Sequence, residues 1–137
     1  MQNSSPMELK DLVDYLDRYL ETSAFSDASA NGLQVESSGT VKRVGLAVDA
    51  CLASILQAAE KRCDLLIVHH GLLWGEEIRL CGPTYRRVRS LIQADIALYA
   101  SHLPLDAHPE VGNNIQIARR MSLSDVHPFG EYRGISI

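Results

Sequence analysis

Two groups of side chains in this sequence have the types and spacing to bind a metal ion. One is His69-His70-Gly71, reached through four apolar residues, Leu65-Leu66-Ile67-Val68. The other is His102-Leu103-Pro104-Leu105-Asp106, reached through the apolar run 96–100. Imidazole and carboxylate suit zinc, iron, manganese, cobalt or nickel, and no thiolate stands among them to favour a structural zinc site. A divalent ion lowers the pKa of a bound water enough to make hydroxide near neutral pH, so the chemistry expected is hydrolysis. The competing reading is a scatter of capping and core polar groups. The paired histidines weigh against it, because buried imidazoles repel when charged and add little to packing.

The apolar runs must position these groups. Each suits a strand buried on both faces, as in a parallel sheet. Their separation is that of one strand–helix–strand crossover. In open α/β sheets ligands bind beyond the carboxyl ends of the strands. His69, His70, His102 and Asp106 are therefore expected to meet at one rim. Successive strand side chains point to opposite sides, so His69 and His70 would serve different ions, or one would bind while the other supports.

The remaining elements follow from pattern. Residues 41–48 read as a first central strand, joined to 64–68 by a helix whose stripe is Leu52, Ile55, Leu56 and Ala59, giving a right-handed crossover. Asp49, between strand and helix, either caps the helix or faces the site. A first helix is expected over 6–20, with Ser5 as cap, Pro6 at the first position, Glu8 closing a capping box, and an apolar face of Leu9, Leu12, Val13, Leu16, Tyr19 and Leu20. Residues 21–39 read as irregular, with a surface turn at Asn31-Gly32 before a short strand-like piece. Gly82-Pro83-Thr84 starts a helix that should stop near Ala94, and Ile115, Ala118, Arg119 and Met121 suit another. Trp74 walls a pocket or fills a core edge. His108, before a proline, reads as exposed or a turn contact. His127 and Glu131 share a four-residue spacing, but Pro128 and Gly130 between them argue against a helix.

Composition removes other classes. The 137 residues make one domain of ordinary size, and 46% hydrophobic against 22% charged residues support a core and argue against disorder. A net charge of −4 argues against general nucleic-acid binding. Arg86, Arg87 and Arg89 read as a solvated helix face. Three cysteines without a C-x-x-C pair read as reduced thiols. With neither a signal-peptide pattern nor an apolar run near the ~20 residues of a membrane span, a soluble, cytoplasmic protein with no membrane partner is expected. There is no Gly-x-Ser-x-Gly elbow and no phosphate loop.

Five motifs stand in a specific order: Asn31-Gly32-Leu33-Gln34-Val35, Val48-Asp49, Val68-His69-His70-Gly71, Ser101-His102-Leu103-Pro104-Leu105-Asp106-Ala107 and Gly112-Asn113-Asn114. Together they resemble the Nif-three-like dinuclear metal-binding proteins, the GTP cyclohydrolase 1 type 2 homologues, over residues 8–121. The resemblance implies an α/β three-layer sandwich with a mostly parallel central sheet flanked by helices. It also implies two divalent metal ions and assembly of the chain with itself into toroidal homohexamers. By the same resemblance His69, His70 and Asp106 are metal ligands. His102 matches a histidine beside the metals, which either supports their ligands from outside or acts as a catalytic, proton-transferring residue. The family label implies opening of the GTP ring. The family's later half supplies a Gly-His and a glutamate that complete the metal pair, and this sequence ends before that region. The chain is therefore expected to be the N-terminal part of a longer two-half protein, the alternative being a natural short form, and in either case the site is incomplete. His127 and Glu131 do not stand in for the missing pair. The function expected is a metal-dependent hydrolase acting on a nucleotide or phosphoester through metal-bound water. The alternative is a non-catalytic metal-binding scaffold or interaction protein.

Overall fold

A computed structural model of the chain describes residues 5–75, 78–132 and 135–136. In chain order its elements are β1 (Met7–Glu8), α1 (Leu9–Tyr19), a 3-10 turn (Thr22–Ala24), β2 (Gly32–Val35), β3 (Thr40–Val41), β4 (Val44–Asp49), α2 (Leu52–Glu60), β5 (Leu65–His70), α3 (Gly82–Gln93), β6 (Ala97–Ala100), α4 (Leu103–Ala107), α5 (Asn113–Arg120), β7 (Glu131–Tyr132) and β8 (Ile135–Ser136).

The main sheet has the order β2-β6-β5-β4. β4, β5 and β6 are parallel, with Val44 beside Leu65 and Leu65 beside Ala97. β2 runs antiparallel to β6, with Gly32 opposite Ala100. The sheet is therefore mixed, not mostly parallel as expected. The cause lies in residues 21–39, where Asn31-Gly32 opens an edge strand instead of turning at the surface. Gly32 has φ +103°, a conformation that favours glycine.

Strand alternation distributes the core between the two faces of the sheet. Leu65, Ala97 and Tyr99 pack with Leu9, Leu20 and Val41, against which Leu12, Val13 and Leu16 of α1 also lie. Leu66, Val68, Leu98 and Ala100 pack with Ile55 and Ala58 of α2 and Leu91 of α3. Both faces of β5 and β6 are thus covered, which is why these strands read as unbroken apolar runs. β4 is an edge, and on the face it shares with Leu65 its Leu46 is 79% exposed.

The first helix starts at Leu9 rather than Pro6. Met7 and Glu8 pair instead with β3, Met7 opposite Val41. Glu8 is extended and its side chain makes no cap. The Leu9 N–H donates to Gly39 O at 3.1 Å, so a strand ladder does the work expected of a capping box. α3 begins and ends as expected, with Pro83 in its first turn. All three cysteines are free. Of the strand-like ending, Ile135 and Ser136 pair with β7, while Gly134 and Ile137 lie outside the described residues. Among the described residues, no helix is long and apolar enough to cross a membrane.

Candidate metal centre

β5 carries His69 and His70 at its end, and β6 delivers His102 two residues beyond Ala100. The imidazole centroids are 4.5 Å apart for His69 and His70, 5.0 Å for His69 and His102, and 5.7 Å for His70 and His102. One ligand atom from each lies within 4.8 Å of the others, so these three residues could hold a metal ion. The alternation that separates neighbouring strand side chains does not keep the two rings of β5 apart. At the strand terminus the ring of His69 leans to the β6 side and that of His70 to the β4 side.

The leaning has a chemical cause. His69 Nδ1 lies 3.0 Å from the carbonyl oxygen of Ser101. His70 Nδ1 lies 2.7 Å from Asp49 Oδ1. His102 Nδ1 lies 3.0 Å from both oxygens of Asp27. Carbonyl and carboxylate oxygens accept, so each Nδ1 carries the proton and donates it. Each Nε2 is left with its lone pair, as in histidines that bind metals while an outer oxygen fixes their tautomer. The donor set therefore fits a divalent ion. The buried hydroxyls of Ser101, next to His102 in the chain, and of Ser29, two residues after Asp27, have no hydrogen-bond partner among the described residues.

Asp106 lies in α4, a short helix not expected from the sequence. Its Oδ1 accepts from Asn113 Nδ2 at 2.8 Å, and its Oδ2 stands 3.6 Å from His69 Nε2. Two ligands of one tetrahedral ion lie roughly 3.3–3.6 Å apart, given metal–ligand distances of about 2.0–2.2 Å. His69 and Asp106 are therefore spaced to share an ion. Gly112 makes room for this: a Cβ there would lie 2.8 Å from the Leu105 carbonyl.

Asp49 joins the site rather than capping α2, whose N-cap is Cys51. Asp27 escaped the sequence reading. Its side chain is only 3% exposed. Burial pushes its pKa up, but hydrogen bonds from Asn31, His102, Leu103 N–H and Ser29 N–H outweigh that and hold it at about 2. Asn31 also accepts from the His102 backbone N–H at 2.8 Å, so it is a site residue and not a surface turn. The Asx turn from Asp27 to Ser29 N–H was the available signal, but nothing local shows that its far side meets a histidine 75 residues on.

Gln34 explains the glycine after the paired histidines. Its Oε1 accepts from the N–H groups of Leu72 and Leu73 at 2.7 and 3.2 Å. A Cβ on Gly71 would run into the Gln34 amide and lie 2.7 Å from Ala100 Cβ. Trp74 stands at the rim, edge-on to His102 with centroids 5.0 Å apart. His108 is a turn contact: its Nδ1 accepts from the N–H groups of Glu110 and Val111, and its Nε2 donates to Tyr19 O. His127 is exposed, and among the described residues it bonds locally, to Asp125 O.

Comparison with known proteins places the chain in a family. The sequence profile described as Duf34/NIF3 (NGG1p interacting factor 3) matches residues 7–137. The GTP cyclohydrolase 1 type 2 homolog of Deinococcus radiodurans is 51% identical over 127 residues, covering 93% of this chain and 48% of that protein. The homolog of the same name from Pyrococcus abyssi is 47% identical over 131 residues, covering 96% and 52%. The crystal structure of TTHA1606 from Thermus thermophilus superposes with a TM-score of 0.87 at 52% identity, covering 90% of this chain and 51% of that one. The chain thus spans about half the length of the curated relatives it matches. On the profile match and these identities, the chain belongs to the Duf34/NIF3 family.

Proposed function

We propose that the protein is a divalent-metal-dependent hydrolase acting on a nucleotide or phosphoester, with His69, His70 and Asp106 holding metal. One observation carries this reading: three histidines each donate Nδ1–H to a fixed oxygen, which leaves their Nε2 atoms free, and ligand atoms of the three lie within 4.8 Å of one another, so that His69 and His70 can take an ion with His102 beside it. Such prior orientation is what a metal site needs and what scattered core histidines lack. The name carried by the relatives supports the class. Helices packed against both faces of the sheet support a three-layer sandwich for the domain. The resemblance to dinuclear proteins supports a second ion. Val44, Leu46 and Val48, exposed along an edge strand, support self-association, with a cytoplasmic homohexamer as the expected assembly.

A bound divalent ion supplies water activation near neutral pH. The chain supplies the rest. Asp27 holds the His102 ring in one tautomer. His102 Nε2 then takes the proton of the attacking water and returns it to the leaving group as the bond breaks. Asp49 keeps His70 oriented, and Asn113 keeps one oxygen of Asp106 engaged while the other faces His69.

The test is metal content and turnover of the purified protein, with His70→Ala and Asp106→Ala beside it. Stoichiometric exchangeable metal, metal-dependent consumption of a nucleotide or phosphoester, and loss of both in the variants are expected. Unchanged turnover in both variants sinks the hydrolase reading. Bound metal without turnover leaves a metal-binding scaffold, and failure to bind any divalent metal removes both.

A further inference from the structure

Trp74 is the chain's single tryptophan. Its backbone is pinned across the rim: it bridges to Ser29, and the flanking bonds Ala30 N–H to Leu73 O and Gly75 N–H to Ala28 O measure 3.0 and 2.9 Å. Its Nε1–H donates to Gly71 O at 2.9 Å, which stops the indole rotating. The ring meets His102 edge-on at 5.0 Å and lies 6.2 Å from His70. An edge-on contact occupies at most one face of the indole, and the residue is 37% exposed. A large, immobilised and partly open π-surface therefore stands beside the histidine cluster.

We propose that the open indole surface of Trp74 is a binding platform for a planar heteroaromatic ring, such as a nucleobase. Indole faces are electron-rich and stack with electron-poor heterocycles, and every base offers such a face. The platform borders the cluster, since the indole centroid lies 5.0 Å from that of His102 and 6.2 Å from that of His70. A plain steric wall needs neither the fixed indole nitrogen nor a π-face; a leucine would serve. Holding the ring still lowers the ordering cost of binding. The inference deepens the hydrolase reading, since it selects ring-bearing substrates over simple phosphoesters. It rests on that reading only for the chemistry that follows binding.

The test uses the whole chain, once treated with chelator and once loaded with zinc. Adenosine and guanosine are titrated by calorimetry and by the fluorescence of Trp74, with ribose 5-phosphate as a ringless control. Saturable nucleoside binding with a Kd near or below about 1 mM is expected, with no response to the control. Trp74→Leu and Trp74→Phe both lose the bond to Gly71 O, so the difference between them isolates the ring. Trp74→Leu should weaken binding by roughly tenfold or more, and Trp74→Phe should recover part of it. Should Trp74→Leu fail to fold, Trp74→Phe and Trp74→Met make the same comparison. Equal affinities for nucleoside with and without an aromatic residue at 74, or no saturable binding, overturn the platform. A chain that loads zinc but ignores nucleosides refutes this inference and leaves the hydrolase reading standing; one that binds nucleosides but cannot be loaded with zinc does the reverse.

Discussion

Replacing Asp27 with asparagine tests the network beneath His102. The carboxylate accepts from Ser29 N–H at 3.1 Å, Asn31 Nδ2 at 3.0 Å, Leu103 N–H at 3.1 Å and His102 Nδ1 at 3.0 Å. An amide has one accepting oxygen, so either orientation of the new side chain aims its NH2 at donors, and the unmatched donors cost about 1–3 kcal/mol. Charge adds to this. Held at about 2 against an ordinary 3.8, the carboxyl contributes at most about 2.5 kcal/mol, and about 1–2 kcal/mol once its overlap with the hydrogen bonds already counted is set aside. The sign follows from the direction of the shift. A folded-state pKa below the unfolded value stabilises the protein above pH 3.8, and that stabilisation is lost as pH falls through about 2. Asp27→Asn should therefore destabilise the chain by about 2–5 kcal/mol at neutral pH, and the gap from wild type should narrow by about 1–2 kcal/mol between roughly pH 4 and pH 2. Urea unfolding followed by circular dichroism at a series of pH values measures both. A gap below about 0.5 kcal/mol at neutral pH, or one that stays constant on acidification, refutes the argument that this carboxylate is ionised and held by four donors.

Three further outcomes follow from single contacts. Gly71→Ala drives a methyl into the Gln34 amide and Ala100, and should destabilise by about 1–3 kcal/mol in urea unfolding. A change within about 0.5 kcal/mol would show that Gln34 moves aside freely. Asp49→Ala frees the His70 ring without removing a proposed ligand, and should weaken zinc affinity about 10- to 100-fold by competition with a chromophoric chelator. Unaltered affinity would mean that Asp49 does not orient His70. Tyr99 is fully buried, and burial, with the Asp17 carboxylate that accepts from its hydroxyl at 2.8 Å, pushes its pKa up. Tyr99→Phe should cost about 1–2 kcal/mol of thermal or urea stability, and no loss would show that this bond adds nothing over solvation.

What could be read without the fold was whatever depends on neighbours along the chain. The unbroken apolar runs of β5 and β6 showed that both faces of those strands are buried, and a strand buried on both faces must end at a rim. That sufficed to bring His69, His70 and His102 together in expectation, and they do converge. Proline and glycine punctuation located α3 for the same local reason.

The tertiary structure decided what depends on residues far apart. The Asn31-Gly32 pair looks like a turn in isolation, yet the open edge of β6 offers hydrogen bonds that draw it into an antiparallel strand and make the sheet mixed. Asp49 could cap a helix or orient a histidine, and only the parallel register that sets it beside His70 selects the second. Asp27 carries no metal-ligand spacing; its part in the site arises because the segment before β2 passes under His102. Local sequence determines which segments form strands and helices through backbone sterics and burial. Which oxygen each imidazole meets is decided by cross-strand register and loop packing, whose contacts span tens of residues and leave no periodic trace in the chain.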